Sequence, residues 1–336
     1  MPFKHRIAIL GAGSWGTALA IVAARSRHEV RLWSRDREVV SSINERHVNP
    51  KYLRFAATPD AISATTDAAA ALDNASILVI AAPSHAVREL LTQVSSAIEP
   101  ATVIVSATKG IEVESGKRVS EIVRHVVGDD SYQRFVCLSG PSFAEEVVNN
   151  HPTAVVAASI SQDAAQIIQQ AFSFDSLRLY TNTDVVGTEL GGAVKNVMAI
   201  AAGMVSGLGF GSNSLAALIT RGLAEISRLA LAQGAQLETL MGLAGLGDLV
   251  LTCTGKLSRN RFVGEQLGNG RSLSEITAGM NEVAEGIKTT LAVKQLADRA
   301  GLEMPITNEV KAVLYDDKPV RAAVNDLMRR PLKDES

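Results

Sequence analysis

The 336-residue sequence has little of several features that would place a protein in a special class. Its two cysteines, Cys137 and Cys253, each lie in an apolar stretch with no second cysteine at metal-ligand spacing, which excludes a disulfide framework and a cysteine-zinc site. Both are predicted to be small buried hydrophobes. Aromatic residues make up 4% of the chain, and the formal net charge is -2. No overall field attracts a nucleic acid or an anionic membrane, so any anion site must be local.

Targeting and membrane segments are also absent from the sequence pattern. The first apolar run ends at Gly11 and is too short for a signal-peptide core, and no apolar stretch reaches the roughly 20 uncharged residues of a membrane span. We therefore expect a cytoplasmic protein that binds no nucleic acid and does not insert into a membrane. The sequence leaves the oligomeric state open, with a homodimer among the alternatives.

The order of secondary-structure signals changes near residue 182. Up to that point, short β-rich apolar runs alternate with helical segments, a pattern typical of a mostly parallel sheet covered by helices. Beyond it, apolar residues recur at helical spacing almost to the C-terminus. The predicted strands are 6–10, 29–33, 77–81, 103–106, 135–139, 154–158 and 177–180. The predicted helices between them include 15–26, 86–97, 117–127 and 163–172, with Ser84 and Ser161 as N-caps.

A glycine-rich motif, Gly11-Ala12-Gly13-Ser14-Trp15-Gly16, follows the first predicted strand and opens a predicted helix. In this context Gly11 permits the tight turn, Gly13 lets backbone approach a pyrophosphate, and Gly16 lets helix and strand pack closely. The pyrophosphate would lie at the positive end of the helix. The length also favours two domains. The sequence thus predicts an α/β protein with an N-terminal Rossmann-type domain at 1–182 and an all-helical substrate-binding and catalytic domain at 183–336.

The residues after the second predicted strand bear on which dinucleotide binds. An acid normally holds the ribose hydroxyls of NAD at this point, but here the sequence reads Ser34-Arg35-Asp36-Arg37. Arg35 would suit the 2'-phosphate of NADPH, whereas Asp36 is near enough to allow NADH to bind as well. We expect NADPH or NADH as the cofactor, with NADPH accepted. The alternative for Arg35 is a solvated surface charge.

Three segments follow predicted strands at the carboxyl edge of the sheet, where open α/β sheets bind ligands. Lys109, in Ala107-Thr108-Lys109-Gly110, is the charged group best placed to meet an anionic or carbonyl oxygen, unless it is a mobile surface lysine. His85 is a candidate acid-base group or, as loop histidines more often are, a neighbour of the cofactor. Ser142, in Gly140-Pro141-Ser142-Phe143, could bind substrate or form a capping box with Glu145.

The first long helix of the helical region carries a lysine in an unusually apolar stretch, Glu189-Leu190-Gly191-Gly192-Ala193-Val194-Lys195-Asn196. Gly192 and Gly191 lie three and four residues before Lys195, so this helix face is nearly bare and is predicted to leave room for a ring and a small substrate. In a desolvated site the ammonium proton of Lys195 is released more easily, as a general acid or base in carbonyl reduction requires. The alternative is a close helix crossing with Lys195 reaching outward to solvent.

A further cluster contains a candidate buried carboxylate and a candidate phosphate site. Asp248, flanked by glycine and aliphatic residues, needs a partner if it is buried, and Lys195 is the obvious one. Ser258 is predicted to cap the helix that follows it, which would place Ser258, Arg259 and Asn260 at a positive helix end. Hydroxyl, guanidinium, amide and backbone N–H groups at one helix start form a phosphate cradle. A plain capped surface helix would tolerate the same residues.

Six motifs, taken in this order, resemble those of the bacterial-type NAD(P)-dependent glycerol-3-phosphate dehydrogenases nearly from end to end. They are Gly11-Ala12-Gly13-Ser14-Trp15-Gly16, Ala107-Thr108-Lys109-Gly110, Ser139-Gly140-Pro141-Ser142-Phe143-Ala144, Gly191-Gly192-Ala193-Val194-Lys195-Asn196, Gly245-Leu246-Gly247-Asp248-Leu249 and Ser258-Arg259-Asn260-Arg261. The resemblance implies Lys195 as general acid/base, with Asp248 and Lys109 also catalytic. The implied substrate site is formed by Lys109, Gly140, Ser142, Lys195, Asn196, Asp248, Thr252, Ser258, Arg259 and Asn260. The expected cofactor site is formed by Gly11, Gly13, Ser14, Trp15, Gly16, Arg35, Lys109, Ala144, Arg259, Val283 and Glu285.

The resemblance also implies a reaction, the reduction of dihydroxyacetone phosphate to sn-glycerol 3-phosphate, the backbone of membrane phospholipids. No metal is expected, because a lysine ammonium can stabilise the developing alkoxide. The stretch Val283-Ala284-Glu285-Gly286-Ile287 departs mildly from a Val-Val-Glu-Gly-Val pattern in the family. One alternative is a β-hydroxyacid dehydrogenase, which would not need the Ser258-Arg259-Asn260 cluster. Another is a non-catalytic NAD(P)-sensing protein, which has no reason to place Lys195 and Asp248 in apolar helices.

Overall fold

The computed structural model describes residues 4–280, 284–332 and 334. The strands in these ranges are short and are, in chain order, β1 (Arg6–Leu10), β2 (Glu29–Trp33), β3 (Val48–Asn49), β4 (Leu53–Ala57), β5 (Ile62–Thr65), β6 (Ile77–Ile80), β7 (Val103–Ser106), β8 (Phe135–Ser139), β9 (Thr153–Ala158) and β10 (Leu177–Asn182). Eight of them form one sheet in the order β10-β9-β8-β7-β6-β1-β2-β5, while β3 and β4 form a separate antiparallel pair.

Neighbouring strands of the eight-stranded sheet run parallel, except β8 and β9, which pair antiparallel. This confirms the predicted mostly parallel sheet. Because β2, β1, β6 and β7 are neighbours that run parallel, their carboxyl ends meet at one edge, where ligands bind in open α/β sheets. The loops that leave this edge carry Gly11, Arg35, His85 and Lys109.

Helices cover both faces of the sheet. Along β1, Ile7 and Ile9 face one apolar cluster while Ala8 and Leu10 face another, as expected for a parallel strand that is buried on both sides. The helices of this half are α1 (Ser14–Arg25), α2 (Arg37–Arg46), α3 (Ala68–Ala71), α4 (Val87–Val94), α5 (Val119–Val127), α6 (Ala144–Val148) and α7 (Gln162–Phe172).

The seven predicted strands are all present, with ends that differ by no more than about two residues, as is usual for assigned boundaries. The sequence does not predict β3, β4 or β5. Strand β5 contains Ser63 and Thr65 and pairs with β2 at the sheet edge, so it lacks the continuous apolar run that marks the central strands. Strand β3 has two residues, too few for a periodic signal.

The predicted N-caps have different outcomes. Ser161 accepts a hydrogen bond from the backbone N–H of Ala164 (3.3 Å) and caps α7, which confirms the prediction. The prediction for Ser84 is wrong: its hydroxyl lies in a short 3-10 turn and donates to the carboxylate of Glu285 (2.8 Å). Glu285 is 201 residues away in sequence, so no local pattern could have shown this contact.

After β10, the described elements are helical, which confirms the predicted all-helical region. They are α8 (Val185–Gly207), α9 (Ser212–Ala232), α10 (Leu237–Met241), α11 (Asp248–Thr254), α12 (Arg259–Gly268), α13 (Leu273–Ala278), α14 (Glu285–Arg299), α15 (Pro305–Tyr315) and α16 (Val320–Met328), with a π-helical turn at Leu243–Gly247 before α11. The division into domains 1–182 and 183–336 stays a prediction.

Helix α8 forms the centre of the helical half. It is buried along nearly its whole length, and α9, α11, α12 and α14 pack against it. The expectation that no stretch reaches about 20 uncharged residues holds, since α8 contains Glu189 and Lys195, although by length and composition this helix could cross a membrane. However, 89% of its most apolar window is buried inside the protein, so the apolar surface is already covered. Helix α8 is therefore a core helix, and it carries Lys195 into that core.

Candidate active site

The first and third glycines of the motif are required by the packing of the protein itself. Gly11 has a φ of +123° and donates its backbone N–H to the carbonyl of Trp33 (3.1 Å). A Cβ atom on Gly16 would lie 1.9 Å from the carbonyl oxygen of Gly11. The predicted roles of these two glycines, a tight turn and close helix-strand packing, are consistent with this geometry.

The second glycine has a different reason to be a glycine. A Cβ atom on Gly13 would meet nothing within 4 Å, so packing against the described residues does not require a glycine at this position. Gly13 is the N-cap of α1, where it makes no side-chain cap, and the first turn of α1 has no acidic residue. The open space therefore lies against a positive helix end that the protein does not neutralise, as a pyrophosphate site requires.

Other residues of this segment also fit a bound dinucleotide. The indole Nε1 of Trp15 is shielded from solvent and has no hydrogen-bond partner among the described residues. A buried donor without a partner is costly, and a ligand that accepts from it would remove that cost. The hydroxyl of Ser14 donates to the carbonyl of Tyr52 (2.7 Å), which ties the start of α1 to the segment before β4.

The two charged residues after β2 lie in different surroundings. Asp36 caps α2 by accepting from the backbone N–H groups of Glu38 and Val39, and it forms a 2.6 Å ion pair with Lys51. The hydrogen bond from Lys51 is the main reason that the pKa of Asp36 lies below its ordinary value. Arg35 is exposed at the carboxyl edge of the sheet. Asp36 is thus already engaged, whereas Arg35 faces solvent.

His85 lies among basic groups at the same edge. Partial burial lowers its pKa, and the positive charges of Lys288 and Arg35 lower it further. These residues come from three separate elements, since His85 follows β6, Arg35 follows β2 and Lys288 is in α14. Their convergence gives the crevice a positive rim, which suits an anionic cofactor better than a protonated histidine acid.

Lys195 is buried in the core, so the part of the alternative that turns Lys195 outward to solvent is wrong. It is 5% exposed, and its Nζ donates hydrogen bonds to Oδ1 of Asp248 and to Oγ1 of Thr252, the latter at 2.8 Å. Burial lowers the pKa of Lys195 from 10.5 to about 7, because the lowering by desolvation and by Lys109 outweighs the raising effect of Asp248. Near neutral pH this amine can therefore both give and accept a proton.

Asp248 is shared by two lysines. Its other carboxylate oxygen, Oδ2, lies 2.7 Å from Nζ of Lys109, which also donates to the carbonyl of Gly140 (3.0 Å). Burial by itself would raise the pKa of Asp248, but the two ammonium groups outweigh it and hold that pKa below its ordinary value. The expected pairing of Asp248 with Lys195 is present, and the pairing with Lys109 adds a second positive charge.

Thr252 acts on the lysine through its hydroxyl. This oxygen accepts from Lys195 and donates to the backbone carbonyl of Asp248 (2.6 Å), one turn earlier in α11. The hydroxyl is thus oriented by the helix and in turn orients the ammonium group. The resemblance places Thr252 in the substrate site; in the structure its direct contacts are with the catalytic candidates.

The predicted open space beside Lys195 is not there at the two glycines. A Cβ atom on Gly191 would lie 2.7 Å from the carbonyl oxygen of Ala244, and one on Gly192 would lie 2.7 Å from Oγ of Ser139. The bare helix face is therefore packed against the π-helical turn and the end of β8. The glycines let α8 approach the sheet closely, which brings Lys195 to the edge where Lys109 lies.

The loop after β8 also departs from one expectation. Gly140 has a φ of +134°, and its carbonyl accepts from both Lys109 and the hydroxyl of Ser142 (3.0 Å). The alternative capping box of Ser142 with Glu145 is wrong, because α6 begins at Ala144 with Phe143 as an uncapped N-cap residue. The hydroxyl of Ser142 therefore lies beside the catalytic candidates and does not serve the helix.

The predicted phosphate site lies at the start of α12. Ser258 caps the helix by accepting from the backbone N–H of Arg261 (3.2 Å), which confirms the predicted N-cap. Arg259 is exposed at the first helical position, and the first turn has no acidic residue. The side chain of Asn260 has a structural role as well, since it donates to Asn196 (3.0 Å) and accepts from the backbone N–H of Gly286 (2.9 Å).

Helix α14 completes the crevice from the helical half. Glu285, its first residue, accepts from the hydroxyl of Ser84, and burial raises its pKa despite this bond. Val283, the other cofactor residue expected in this stretch, lies outside the described residues. Asn196 donates to the backbone carbonyl of Lys109 (3.3 Å), so α8 is linked to the same loop.

One contact between the sheet-bearing half and the helical half, near the site, was not predicted from the sequence. Glu189 accepts hydrogen bonds from the hydroxyl and backbone N–H of Ser120 (2.6 and 2.8 Å) and from Arg118 (2.9 Å). A glutamate in an apolar helix is the signal that could have drawn attention to it, because a buried carboxylate needs a partner. This contact fixes the start of α8 to the start of α5.

Comparisons with known proteins agree with this geometry. The family models described as the N-terminus and the C-terminus of NAD-dependent glycerol-3-phosphate dehydrogenase match residues 6–165 and 184–325. The glycerol-3-phosphate dehydrogenase (NAD(P)+) of Koribacter versatilis is 52% identical over 328 residues, which is 97% of this chain and 97% of that relative. That of Geobacter sp. (strain M21) is 50% identical, covering 98% of this chain and 99% of the relative.

A solved structure gives the same result. The crystal structure of glycerol-3-phosphate dehydrogenase from Coxiella burnetii superposes with a TM-score of 0.94 at 42% identity, covering 98% of this chain and 100% of the other. The match therefore spans both the sheet and the helical half that together form the Lys109-Asp248-Lys195 cluster. The chain belongs to the NAD-dependent glycerol-3-phosphate dehydrogenase family.

Proposed function

We propose that the protein interconverts dihydroxyacetone phosphate and sn-glycerol 3-phosphate with NADPH or NADH, and that Lys195 is the general acid and base. Its similarity to enzymes named for this activity supports the reaction. The observation that carries the assignment of Lys195 is its burial beside Asp248 with a pKa of about 7. A non-catalytic sensor would have no use for such a group.

The residues of this chain have distinct parts in the reduction. When bound, the nicotinamide supplies a hydride to the ketone carbon. The ammonium of Lys195 donates a proton to the oxygen of that carbonyl, and in the oxidation the neutral amine takes the proton back from the alcohol. Since the pKa of Lys195 is about 7, both protonation states are populated at neutral pH.

Asp248 and Lys109 support the proton transfer. The negative charge of Asp248 raises the pKa of Lys195 against the effect of burial, and its position aims the ammonium group. Lys109 brings a second positive charge, 2.7 Å from Asp248, to stabilise the negative charge that develops on the substrate oxygen. A preorganised charge in a site shielded from water is more effective than one in solution.

The substrate phosphate is assigned to the start of α12. Backbone N–H groups of a first turn without acidic residues and the side chain of Arg259 attract a dianion, and Ser258 lies beside them. Asn260 can contribute no more than its second amide N–H, because the first is bonded to Asn196. A β-hydroxyacid dehydrogenase would not need this cluster.

The proposal extends to the cofactor and the biological setting. NADPH is favoured over NADH because Arg35 is exposed whereas Asp36 is held by Lys51. The reduction supplies sn-glycerol 3-phosphate for glycerophospholipid synthesis, and the cytoplasm is the proposed location. A homodimer is the proposed assembly, which sedimentation of the full chain tests.

The reaction is tested by following NADPH absorbance with four additions in parallel. We expect rapid oxidation with dihydroxyacetone phosphate, and very slow oxidation with unphosphorylated dihydroxyacetone, with a 3-oxoacid or with no addition. Equal use of the two ketones would contradict the phosphate site at α12. Preference for the 3-oxoacid would contradict the proposed substrate class altogether.

A further inference from the structure

A pocket of about 420 Å³ lies at the junction of the two halves of the chain, apart from the residues assigned to the reaction. One wall is the segment 115–118 together with Glu121, on the sheet-bearing side. The opposite wall is formed by Leu190 of α8 and by the C-terminal ends of α9 and α14. A ligand in this pocket would therefore contact both halves at once.

The polar part of the lining is positively charged. It contains Lys117, Arg118 and Arg299, with Glu121 as its one carboxylate. Arg118 is neutralised by its ion pairs with Glu121 and Glu189. Within the ranges 4–280 and 284–332, Lys117 and Arg299 have no carboxylate within 4 Å. Lys117 and Arg299 are thus the two cations of this concave site without a paired carboxylate, and the three cations and two carboxylates together have one net positive charge.

The carboxylate that Lys117 influences is engaged by another cation. Lys117 contributes to the lowered pKa of Glu112, but the carboxylate of Glu112 already accepts two hydrogen bonds from Arg88 (2.8 and 2.7 Å). Arg299 donates one hydrogen bond to the backbone carbonyl of Ser115 (3.2 Å), although a guanidinium has five N–H donors. Most of its donors therefore remain available to a ligand.

Apart from Ser115 and Gln233, the rest of the lining is apolar and small. Leu190, Leu296, Ala232 and Ala300 contribute aliphatic surface next to the cations. A purely inorganic anion would leave this surface unused, whereas a ligand with an apolar portion would cover it. Ligand pockets of this size ordinarily combine an apolar wall with a few polar groups that set orientation.

We propose that this pocket is a second binding site, which takes a small organic anion with one phosphate or carboxylate head and a short aliphatic portion. The head is held by Lys117 and Arg299, and the aliphatic portion lies against Leu190 and Leu296. The site is separate from the one that binds the substrate.

The pocket is connected to the catalytic residues through short pieces of backbone. Segment 115–118 continues the loop that leaves Lys109, and Leu190 is five residues before Lys195 in the same helix. Glu189, next to Leu190, bonds Arg118 of the opposite wall. A ligand that favours one spacing of these walls changes the relative positions of Lys109 and Lys195. We infer that its binding changes kcat/KM for the reaction. This part of the proposal rests on the proposed function.

The binding is tested by calorimetry on the full chain, with hexyl phosphate as the probe. NADPH is present at saturation without substrate, so that the cofactor site is filled with no turnover. The titration is repeated with Arg259→Ala, which impairs the phosphate site at the start of α12, and binding at the pocket is the binding that this variant keeps. We expect one equivalent of hexyl phosphate to bind, and inorganic phosphate and hexanol to bind much more weakly.

Lys117→Ala and Arg299→Ala should each weaken the binding of hexyl phosphate by about tenfold or more, because each variant loses a charge-assisted contact. The matched control is Lys294→Ala, which removes a lysine of the same helix that pairs with Asp298 outside the pocket. Thermal melting of each variant checks that it is folded.

Absence of saturable binding, or equal binding by the wild type, Lys117→Ala and Arg299→Ala, would overturn the second site. Equal affinity for inorganic phosphate and hexyl phosphate would overturn the assigned ligand class. Binding without any change in kcat/KM would overturn the coupling to the reaction. The calorimetric measurement needs no turnover, so its failure is distinguishable from failure of the proposed function.

Discussion

Nζ of Lys109 lies 2.7 Å from Oδ2 of Asp248, and this ion pair joins the loop after β7 to the first residue of α11. The other oxygen of the same carboxylate holds Lys195. A single buried carboxylate thus links the sheet-bearing half to the helical half at the point where we place the reaction. Removing its charge should affect both the chemistry and the stability of the protein.

Asp248→Asn should lower the pKa of Lys195 below about 7, because the carboxylate is the group that raises it against burial. The decline in the rate of ketone reduction on the alkaline side should therefore move to lower pH. The free energy of unfolding should fall by about 3–5 kcal/mol, the usual cost of breaking a buried ion pair. Rate-pH profiles and urea denaturation measure the two effects. A stability loss with an unchanged pH profile would mean that Asp248 is only structural.

Lys195→Ala should bind NADPH as the wild type does and lose roughly 10²- to 10⁴-fold in kcat, the range of positioned proton transfer. In the wild type, reduction needs the protonated lysine and should decline as the pH rises above about 7, whereas oxidation needs the neutral amine and should decline below about 7. Steady-state rates in both directions and cofactor fluorescence titrations check these expectations. Near-normal turnover of the variant would remove Lys195 from the mechanism.

Gly13→Ala should keep the melting temperature of the wild type, because the added methyl group meets none of the described residues. It should weaken the binding of NADPH by about tenfold or more, because the methyl group enters the space assigned to the pyrophosphate. The control is Gly16→Ala, whose Cβ would overlap the carbonyl of Gly11 and should destabilise the fold by about 1–3 kcal/mol or more. Melting curves and direct cofactor binding separate the two. Undiminished NADPH binding by Gly13→Ala would place the pyrophosphate elsewhere.

Arg35→Asp should weaken the binding of NADPH much more than that of NADH, because a carboxylate repels the 2'-phosphate and accepts hydrogen bonds from free ribose hydroxyls. Arg37→Asp, a change of the same charge at an exposed position two residues later, is the matched control and should affect the two cofactors alike. The ratio of kcat/KM values should be measured at low and high salt, since screening shortens the reach of an exposed charge to about 10 Å or less. Parallel loss of both cofactors would show that Arg35 does not read the 2'-position.

His28 should make the protein less stable in mild acid. Its Nδ1 accepts from the backbone N–H of His5 (3.2 Å), so its Nε2 carries the proton that bonds the carbonyl of Ala171 (3.1 Å). Burial and the neighbouring His5 lower the pKa of His28 below 6.5. Well above pH 6.5 the ring is neutral in both the folded and unfolded states, and as the pH falls the unfolded state takes up the proton first, so stability is lost.

The measurement is the slope of melting temperature against pH between about 7 and 5, a range that spans the ordinary histidine pKa. His28→Asn should have a shallower slope than the wild type, whatever its absolute stability. His151→Asn, at an exposed position, serves as the control and should keep the wild-type slope. Equal slopes for all three proteins would show that His28 does not contribute to acid sensitivity.

Much of the fold follows from patterns that are local in sequence. The strand-turn-helix around Gly11, Gly13 and Gly16 and the change to helices after residue 182 depend on residues a few positions apart, and the structure agrees with both. The buried pairing of Lys195 with Asp248 was also expected, because a charged residue in an apolar helix must find a partner. Strand β5 was not expected, because its four residues lack a continuous apolar run and its place is set by β2.

Other features were decided only by how the elements pack. Lys109 reaches Asp248 across 139 residues of sequence and Ser84 reaches Glu285 across 201, and no spacing rule relates such positions. The sequence predicted open space beside Gly191 and Gly192, but in the structure α8 packs against its neighbours at these two residues. Sequence determines which side chains need a partner, because burial and charge are properties of each residue in its local pattern. Tertiary structure decides which partner is in reach, because that depends on the positions of whole helices and strands.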